Sequence, residues 1–124
     1  MKNKLDLNSI LIGSEKPKQL IEFYTKIFGA TPEWEEGEWA AWQVGSGNLC
    51  VGPHDKVHGK NKEPGRILIN FETKDVKDEF ARIKALGVEV VAEPYRPEQE
   101  KGMWIATFAD PDGNYFQLMT PMST

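Results

Sequence analysis

The hydrophobic and polar positions of the chain follow the same order of patterns twice. A strand-like run at 5–12 is followed by apolar residues at helical spacing, which stop at Gly29. A second strand-like run at 66–73 leads into a second helical stripe, which stops at Gly87. Glycine readily takes the left-handed conformation that ends a helix, so both stripes are predicted to end there. The apolar residues of the stripes are Leu20, Tyr24, Ile27 and Phe28 in the first and Val76, Phe80 and Ile83 in the second.

Three short strand patterns follow each predicted helix. The runs at 31–35, 39–44 and 48–51 follow the first, and those at 88–92, 104–108 and 115–119 follow the second. Side chains alternate between the two faces of a strand. In the run 39–44, this alternation places Trp39, Ala41 and Gln43 on one face and Ala40, Trp42 and Val44 on the other.

The last two strand patterns are separated by the turn sequence 110–114, Asp-Pro-Asp-Gly-Asn. Pro111 presets a negative φ, and Gly113 accepts the positive φ that closes such a turn. In the strand after it, Tyr115, Gln117 and Met119 share one face. Gln117 is therefore predicted to be a polar side chain presented from a rigid strand among apolar neighbours.

These patterns predict an α+β fold of two βαβββ modules, at 5–52 and 66–120, within one domain spanning 1–124. The segment 53–65 between them is polar, with Val57 its one aliphatic residue, and is interpreted as a linker. The repeat is one of architecture rather than of sequence. Because each module is too small to bury both faces of its sheet, we expect the two to pack together with a concave face between them.

Composition excludes several classes of function. The net charge of −4 argues against nucleic acid as a partner, because phosphate binding requires a clustered basic face. No apolar run is long enough to cross a membrane, and the first residues lack the apolar core of a signal peptide, so we expect a cytoplasmic protein. The single cysteine, Cys50, is interpreted as a buried structural thiol.

Two segments resemble signatures of the vicinal oxygen chelate superfamily, which includes glyoxalase I, bleomycin-resistance proteins and extradiol dioxygenases. The sequence at 110–118 is similar to the C-terminal signature, and 23–29 is similar to the signature of the first helix. The resemblance covers nearly the whole chain and is more specific for the fold than for the activity. It implies two βαβββ modules that form a cupped mixed sheet, with the ligand site inside the cup.

Active members of the superfamily hold a divalent metal with His, Glu or Gln side chains. The matching positions here are Ser9 (or Asn8, with the register shifted by one), Leu68 and Gln117. Divalent metals prefer carboxylates, imidazoles or thiolates, which this set lacks. We therefore expect no metal and no other cofactor at these positions, and no catalytic residue is assigned.

Two other kinds of chemistry have candidate residues in the sequence. His54 and His58 have a spacing that binds zinc on a helix, but Pro53 and Gly59 bracket them, which favours a solvated loop. Acid–base catalysis without a metal would need a paired His and carboxylate or a nucleophile and base, and the sequence shows no such arrangement. The candidate carboxylates for such chemistry are Glu38, Glu72, Asp110 and Asp112.

The many aromatic residues favour a small-molecule site. The leading hypothesis is a glyoxalase/bleomycin-resistance-like protein that binds a small organic molecule in the cup, as a homodimer and without the inherited metal site. The alternatives are a metal-dependent lyase, isomerase or dioxygenase of the superfamily, and a module that binds another protein. The candidate ligand-binding residues are Asn8, Ser9, Trp42, Trp104, Tyr115 and Gln117.

Overall fold

The computed structural model describes residues 3–97 and 102–121. The chain divides into two compact units, with the boundary between Gly59 and Lys60. Unit one contains β1 (Ser9–Ser14), α1 (Pro17–Phe28), β2 (Trp34–Glu36), β3 (Trp39–Val44) and β4 (Gly47–Pro53). Unit two contains a 3-10 turn (Pro64–Arg66), β5 (Ile69–Glu72), α2 (Val76–Ala85), β6 (Glu89–Tyr95), β7 (Ile105–Ala109) and β8 (Tyr115–Met119). The predicted α+β class with two βαβββ modules is confirmed.

The strands pair within each unit. Unit one has the order β1-β4-β3-β2 and unit two the order β5-β8-β7-β6. In both sheets the first strand is parallel to its neighbour and the other pairs are antiparallel. The sequence predicted one mixed sheet, whereas the strand pairing gives two mixed sheets of four strands.

Several element boundaries differ from the predicted ones. The first strand begins at Ser9 rather than at residue 5, and Leu5 and Leu7 are 83% and 85% exposed. An apolar residue strengthens a strand only where it packs on something, and these two do not. The strand predicted at 66–73 is shorter, because the 3-10 turn takes up Arg66 and β5 begins at Ile69.

In unit one, helix α1 covers one face of the sheet. Its residues Leu20 and Tyr24 are fully buried, and Tyr24 and Phe28 contact the ring of Trp42 on β3. Gly29 ends the helix with φ of 65°, as predicted. We call the opposite face of this sheet the open face of unit one.

In unit two, helix α2 covers one face of the sheet in the same way. Asp75 caps the helix by accepting a hydrogen bond from the backbone N–H of Asp78 at 3.1 Å. Phe108 stacks on Phe80 of the helix and on Phe116 of β8, with centroid distances of 5.2 and 5.6 Å. The face that points away from α2 is the open face of unit two. Among the described residues, no helix has the length and apolar character needed to span a membrane.

Candidate functional site

Three polar side chains lie side by side on the open face of unit two. Strand pairing aligns Gln117 of β8 with Asn70 of β5 on one side and with Thr107 of β7 on the other. Gln117 donates from Nε2 to the hydroxyl oxygen of Thr107 at 2.9 Å. We call these three residues the polar row.

The polar row is anchored at Thr107, which is 5% exposed. Gln117 is half-buried and Asn70 is exposed, so the solvent exposure of the three side chains increases from β7 to β5. The hydrogen bond to Thr107 fixes the Gln117 amide plane but uses only one of its two N–H groups. Within 3–97 and 102–121 the amide makes no other hydrogen bond, so its oxygen and its second N–H offer one acceptor and one donor in a fixed orientation.

Apolar side chains flank the polar row. Tyr115 and Met119 lie two residues before and after Gln117, and Ile105 lies opposite Met119 on β7. All three are half-buried. As the alternation predicted, Tyr115 and Gln117 share a face, which combines apolar contact area with one oriented amide.

Asn8 and Ser9 belong to unit one, whereas Gln117 belongs to unit two. Ser9 is the first residue of β1, is exposed and lies opposite Asn48 of β4. Asn8 precedes the strand, and its carbonyl oxygen accepts a hydrogen bond from Nδ2 of Asn48 at 3.4 Å. The structure thus places both on or beside the edge strand β1 of unit one.

Trp42 lies under helix α1 and not on the open face. It is 2% exposed, and its Nε1 donates to the backbone carbonyl of Ala30 at 3.0 Å. Aromatic residues of α1 occupy the space beside its ring, so Trp42 does not belong to the candidate site.

Trp104 also lies on the helix side of its sheet. Side chains two positions apart on a strand share a face, so Trp104 lies on the same side as Ala106 and Phe108, which face α2. The ammonium group of Lys77 on α2 sits 4.0 Å from its ring centroid, and the guanidinium of Arg96 sits 5.7 Å away. The protein's own cations already contact this ring, so Trp104 too is removed from the site.

Two tryptophans that sequence reasoning did not select lie on the open face of unit one. Trp34 is 51% exposed and Trp39 is 40% exposed. A methyl group added at Gly52 of β4 would overlap the six-membered ring of Trp39, so this indole lies directly against the glycine. The alternation in β3 had separated Trp39 from Trp42 correctly, but it did not show which of the two the helix would cover.

Cys50 lies on the same open face and is half-buried, with Leu11 of β1 on one side and Ala41 of β3 on the other. The expectation of a buried thiol is thus corrected. The neighbours on its own strand, Leu49 and Val51, are the residues that pack under α1, at 2% and 0% exposure.

The two histidines contact different partners. The side chain of His54 accepts a hydrogen bond at Nδ1 from the backbone N–H of Lys56 at 3.1 Å. The Nδ1 atom of His58 lies 3.5 Å from Glu15, which also accepts the backbone N–H of Gly59 at 3.0 Å. The Gly59 hydrogen bond, followed by the contact with His58, lowers the pKa of Glu15. This arrangement ties the loop to the start of α1, and the two imidazoles do not converge on one point.

The side chains at the positions where the superfamily places metal ligands do not fit a divalent metal. They are the hydroxyl of Ser9, the aliphatic side chain of Leu68 and the amide of Gln117. Within 3–97 and 102–121, no three His, Cys, Asp or Glu side chains come together in a way that suits a metal ion. Asp110 accepts hydrogen bonds from the backbone N–H groups of Asp112 and Asn114, which makes it a turn former.

Comparisons with known proteins agree with this architecture. The model of the glyoxalase/bleomycin resistance protein/dioxygenase superfamily matches residues 6–118. No curated protein matches the chain in sequence.

Solved structures similar to the chain support the fold alone, because all three described here are no more than 20% identical to it. A protein described only as a conserved domain protein has a TM-score of 0.79 and 20% identity, over 95% of this chain and all of the other. A glyoxalase-related enzyme from Fulvimarina pelagi has a TM-score of 0.74 and 18% identity, over 94% of this chain and 88% of the other. TioX from Micromonospora sp. ML1 has a TM-score of 0.72 and 15% identity, over 94% of this chain and 99% of the other.

Proposed function

The chain belongs to the glyoxalase/bleomycin resistance protein/dioxygenase superfamily, and we propose that it binds a small organic molecule on the open face of unit two. The observation that carries this proposal is the polar row, in which Thr107 fixes the Gln117 amide at 2.9 Å. Sites for small organic ligands combine apolar lining with a few oriented polar groups, and this face has both. Tyr115 and Met119 supply the apolar contact.

An oriented amide favours one kind of ligand chemistry. It offers a donor and an acceptor side by side, and so it matches a neutral or zwitterionic group such as an amide, a carboxamide or an amino acid. A divalent cation would need further oxygen, nitrogen or sulfur ligands, and the inherited positions at Ser9 and Leu68 do not supply such a set. We therefore propose that binding takes place without a metal at these positions.

Replacing Gln117 by alanine is expected to weaken ligand binding by about 1–2 kcal/mol, the usual cost of leaving a polar partner unpaired. The measurement is NMR chemical-shift mapping with a fragment library, followed by calorimetric titration of the compounds that shift the amides of β5, β7 and β8. Gln19→Ala on the exposed side of α1 is the matched control and should bind like the wild type. Equal affinity of wild type and Gln117→Ala for every such compound contradicts the proposed role of the amide.

Metal analysis separates this proposal from the alternative of a metal-dependent lyase, isomerase or dioxygenase. Protein purified without chelators and analysed by native and elemental mass spectrometry is expected to contain no stoichiometric metal. Zinc, nickel, iron or manganese at one atom per chain in the wild type, lost in Gln117→Ala, would overturn the binding proposal in favour of the enzyme.

We also propose that the chain forms a symmetric homodimer. Each four-stranded sheet ends in two edge strands, and unpaired strand edges are usually covered by another element or chain. Cyclic two-fold dimers are the commonest assembly of soluble proteins. Analytical ultracentrifugation at high micromolar concentration is expected to give the mass of two chains, and a monomer under those conditions contradicts the dimer.

A further inference from the structure

The open face of unit one has large apolar side chains around a floor of small ones. Strand pairing puts Leu11, Cys50, Ala41 and Trp34 in one line across all four strands. The bulky residues stand at the two ends of this line, where Leu11 is 55% exposed and Trp34 is 51% exposed. Cys50 and Ala41 between them are small, so the surface has a shallow depression between Leu11 and Trp34.

The next line of residues has its large side chain in the middle. Gly13 of β1 pairs with Gly52 of β4, and Trp39 of β3 pairs with Glu36 of β2. The loop residues His54 and Val57 lie against Gly13 at one end of this line. The ring of Trp39 lies over Gly52, because a side chain there would overlap it. One face of this indole therefore rests on the backbone, while the residue remains 40% exposed.

Trp34 and Trp39 are diagonal neighbours on adjacent strands. Residues in this relation have Cβ atoms about 7–8 Å apart, within reach of long side chains and of a molecule between them. Neither ring stacks on another aromatic side chain of the described residues. We call the surface formed by Leu11, Trp34, Trp39 and their small neighbours the trough.

The segment that carries Trp34 and Trp39 is acidic. The chain has no Lys or Arg between Lys26 and Lys56, and it has four glutamates within 33–38. Glu36 lies on the open face next to Trp39, and it makes no ion pair with the described residues. An aromatic ring attracts a cation to its face, and nearby carboxylates add to that attraction.

We propose that the trough binds an aromatic organic cation, with its flat ring against Trp34 and Trp39 and its positive charge beside Glu36. Two exposed indoles supply flat apolar contact area, and the negative charge of Glu36 beside Trp39 disfavours anionic aromatic compounds. This inference rests on the proposed small-molecule function and names the ligand class that unit one recognises. It adds a second surface, since the polar row lies in unit two.

The test uses N-methylquinolinium as the cationic probe and 2-naphthalenesulfonate as an anionic probe of similar shape. Calorimetry at low salt is expected to show binding of the cation and none of the anion. Cys50, the single cysteine of the chain, reports on occupancy, because its thiol lies on the floor of the trough. N-methylquinolinium should slow its reaction with an aromatic disulfide reagent, and 2-naphthalenesulfonate should not.

Two variants locate the site. Trp34→Ala and Glu36→Gln are each expected to weaken binding of N-methylquinolinium, by about three- to tenfold and two- to fivefold respectively. Glu22→Gln on α1 removes one charge elsewhere in unit one and should leave the affinity unchanged. Because Trp34 and Glu36 are exposed on an edge strand, both variants are expected to fold. Circular dichroism spectra that match the wild type are the check of folding.

Three outcomes overturn the inference. One is equal binding of the two probes, and another is binding of N-methylquinolinium that Trp34→Ala does not weaken. The third is failure of N-methylquinolinium to bind while Trp34→Ala abolishes self-association, which would make this face a protein interface. If the cation fails but library compounds still shift the amides around Gln117, the proposed function stands without the trough. If no compound binds either surface, both proposals fail.

Discussion

Replacing Trp42 by alanine is expected to lower the free energy of unfolding by about 3–5 kcal/mol, in the range found for large aromatic residues removed from protein cores. Trp42 is 2% exposed, and its ring lies 5.4 Å from that of Phe28 and 6.4 Å from that of Tyr24. The substitution also removes the donor to the carbonyl of Ala30. Urea denaturation followed by circular dichroism measures the change.

Two further variants separate the core role of Trp42 from a ligand role. Trp42→Phe keeps most of the apolar volume but loses the hydrogen bond, so it should cost less than Trp42→Ala. Trp34→Ala removes the same side chain from an exposed position and should change stability by less than about 1 kcal/mol. A Trp42→Ala protein as stable as the wild type would show that α1 does not pack on this ring.

The sequence predicts those helices and strands whose limits depend on their own residues and adjoining turns. The spacing of Val76, Phe80 and Ile83 predicted α2, and these three residues are the buried ones in the helix. The strand Tyr115–Met119 was predicted with its observed limits, because a turn with Pro111 and Gly113 fixes where it begins. In each case, local periodicity and turn chemistry agree with the fold.

The candidate site depended on facts that no local pattern contains. Alternation shows that Trp39 and Trp42 point to opposite faces, but which face is covered depends on where α1 packs. That contact comes from Tyr24 and Phe28, which are distant from Trp42 in sequence. For Trp104, the closer cation is that of Lys77, which lies on α2 and is remote from it in sequence. The local sequence around Trp42 and Trp104 therefore does not reveal that neither ring lies on an open face.

The register between paired strands could not be predicted from the sequence either. Gln117 was selected because it replaces a family ligand on a predicted strand. Its neighbours Asn70 and Thr107 were not selected, since their alignment with it arises only when β5 and β7 pair with β8. A strand presents side chains at fixed points whatever their chemistry, so the same fold can present a metal site or a polar row. The chemical identity of a few side chains at these points determines whether the strand face carries a metal site or a polar row.

Replacing Gly52 by alanine is expected to destabilise the protein by about 1–3 kcal/mol, the usual effect of overfilling a packed position. The added methyl group would overlap the ring of Trp39, which must then leave the sheet surface. Glycine to alanine within a strand otherwise stabilises by about 0.4–1 kcal/mol, through the lower entropy of the unfolded chain. Gly47→Ala on the same strand meets nothing within 4 Å and is the matched control, expected to be neutral or stabilising.

A double-mutant cycle with Trp39→Ala identifies the cause of the Gly52 effect. If the methyl group acts by displacing the indole, Gly52→Ala in the Trp39→Ala background should cost little or should stabilise, and the two substitutions are then strongly non-additive. The displaced indole should also show a changed fluorescence maximum, and N-methylquinolinium should bind Gly52→Ala more weakly than it binds Gly47→Ala. Additive stability changes, or unchanged probe affinity in Gly52→Ala, would show that the indole is not held against this glycine and that the trough does not depend on it.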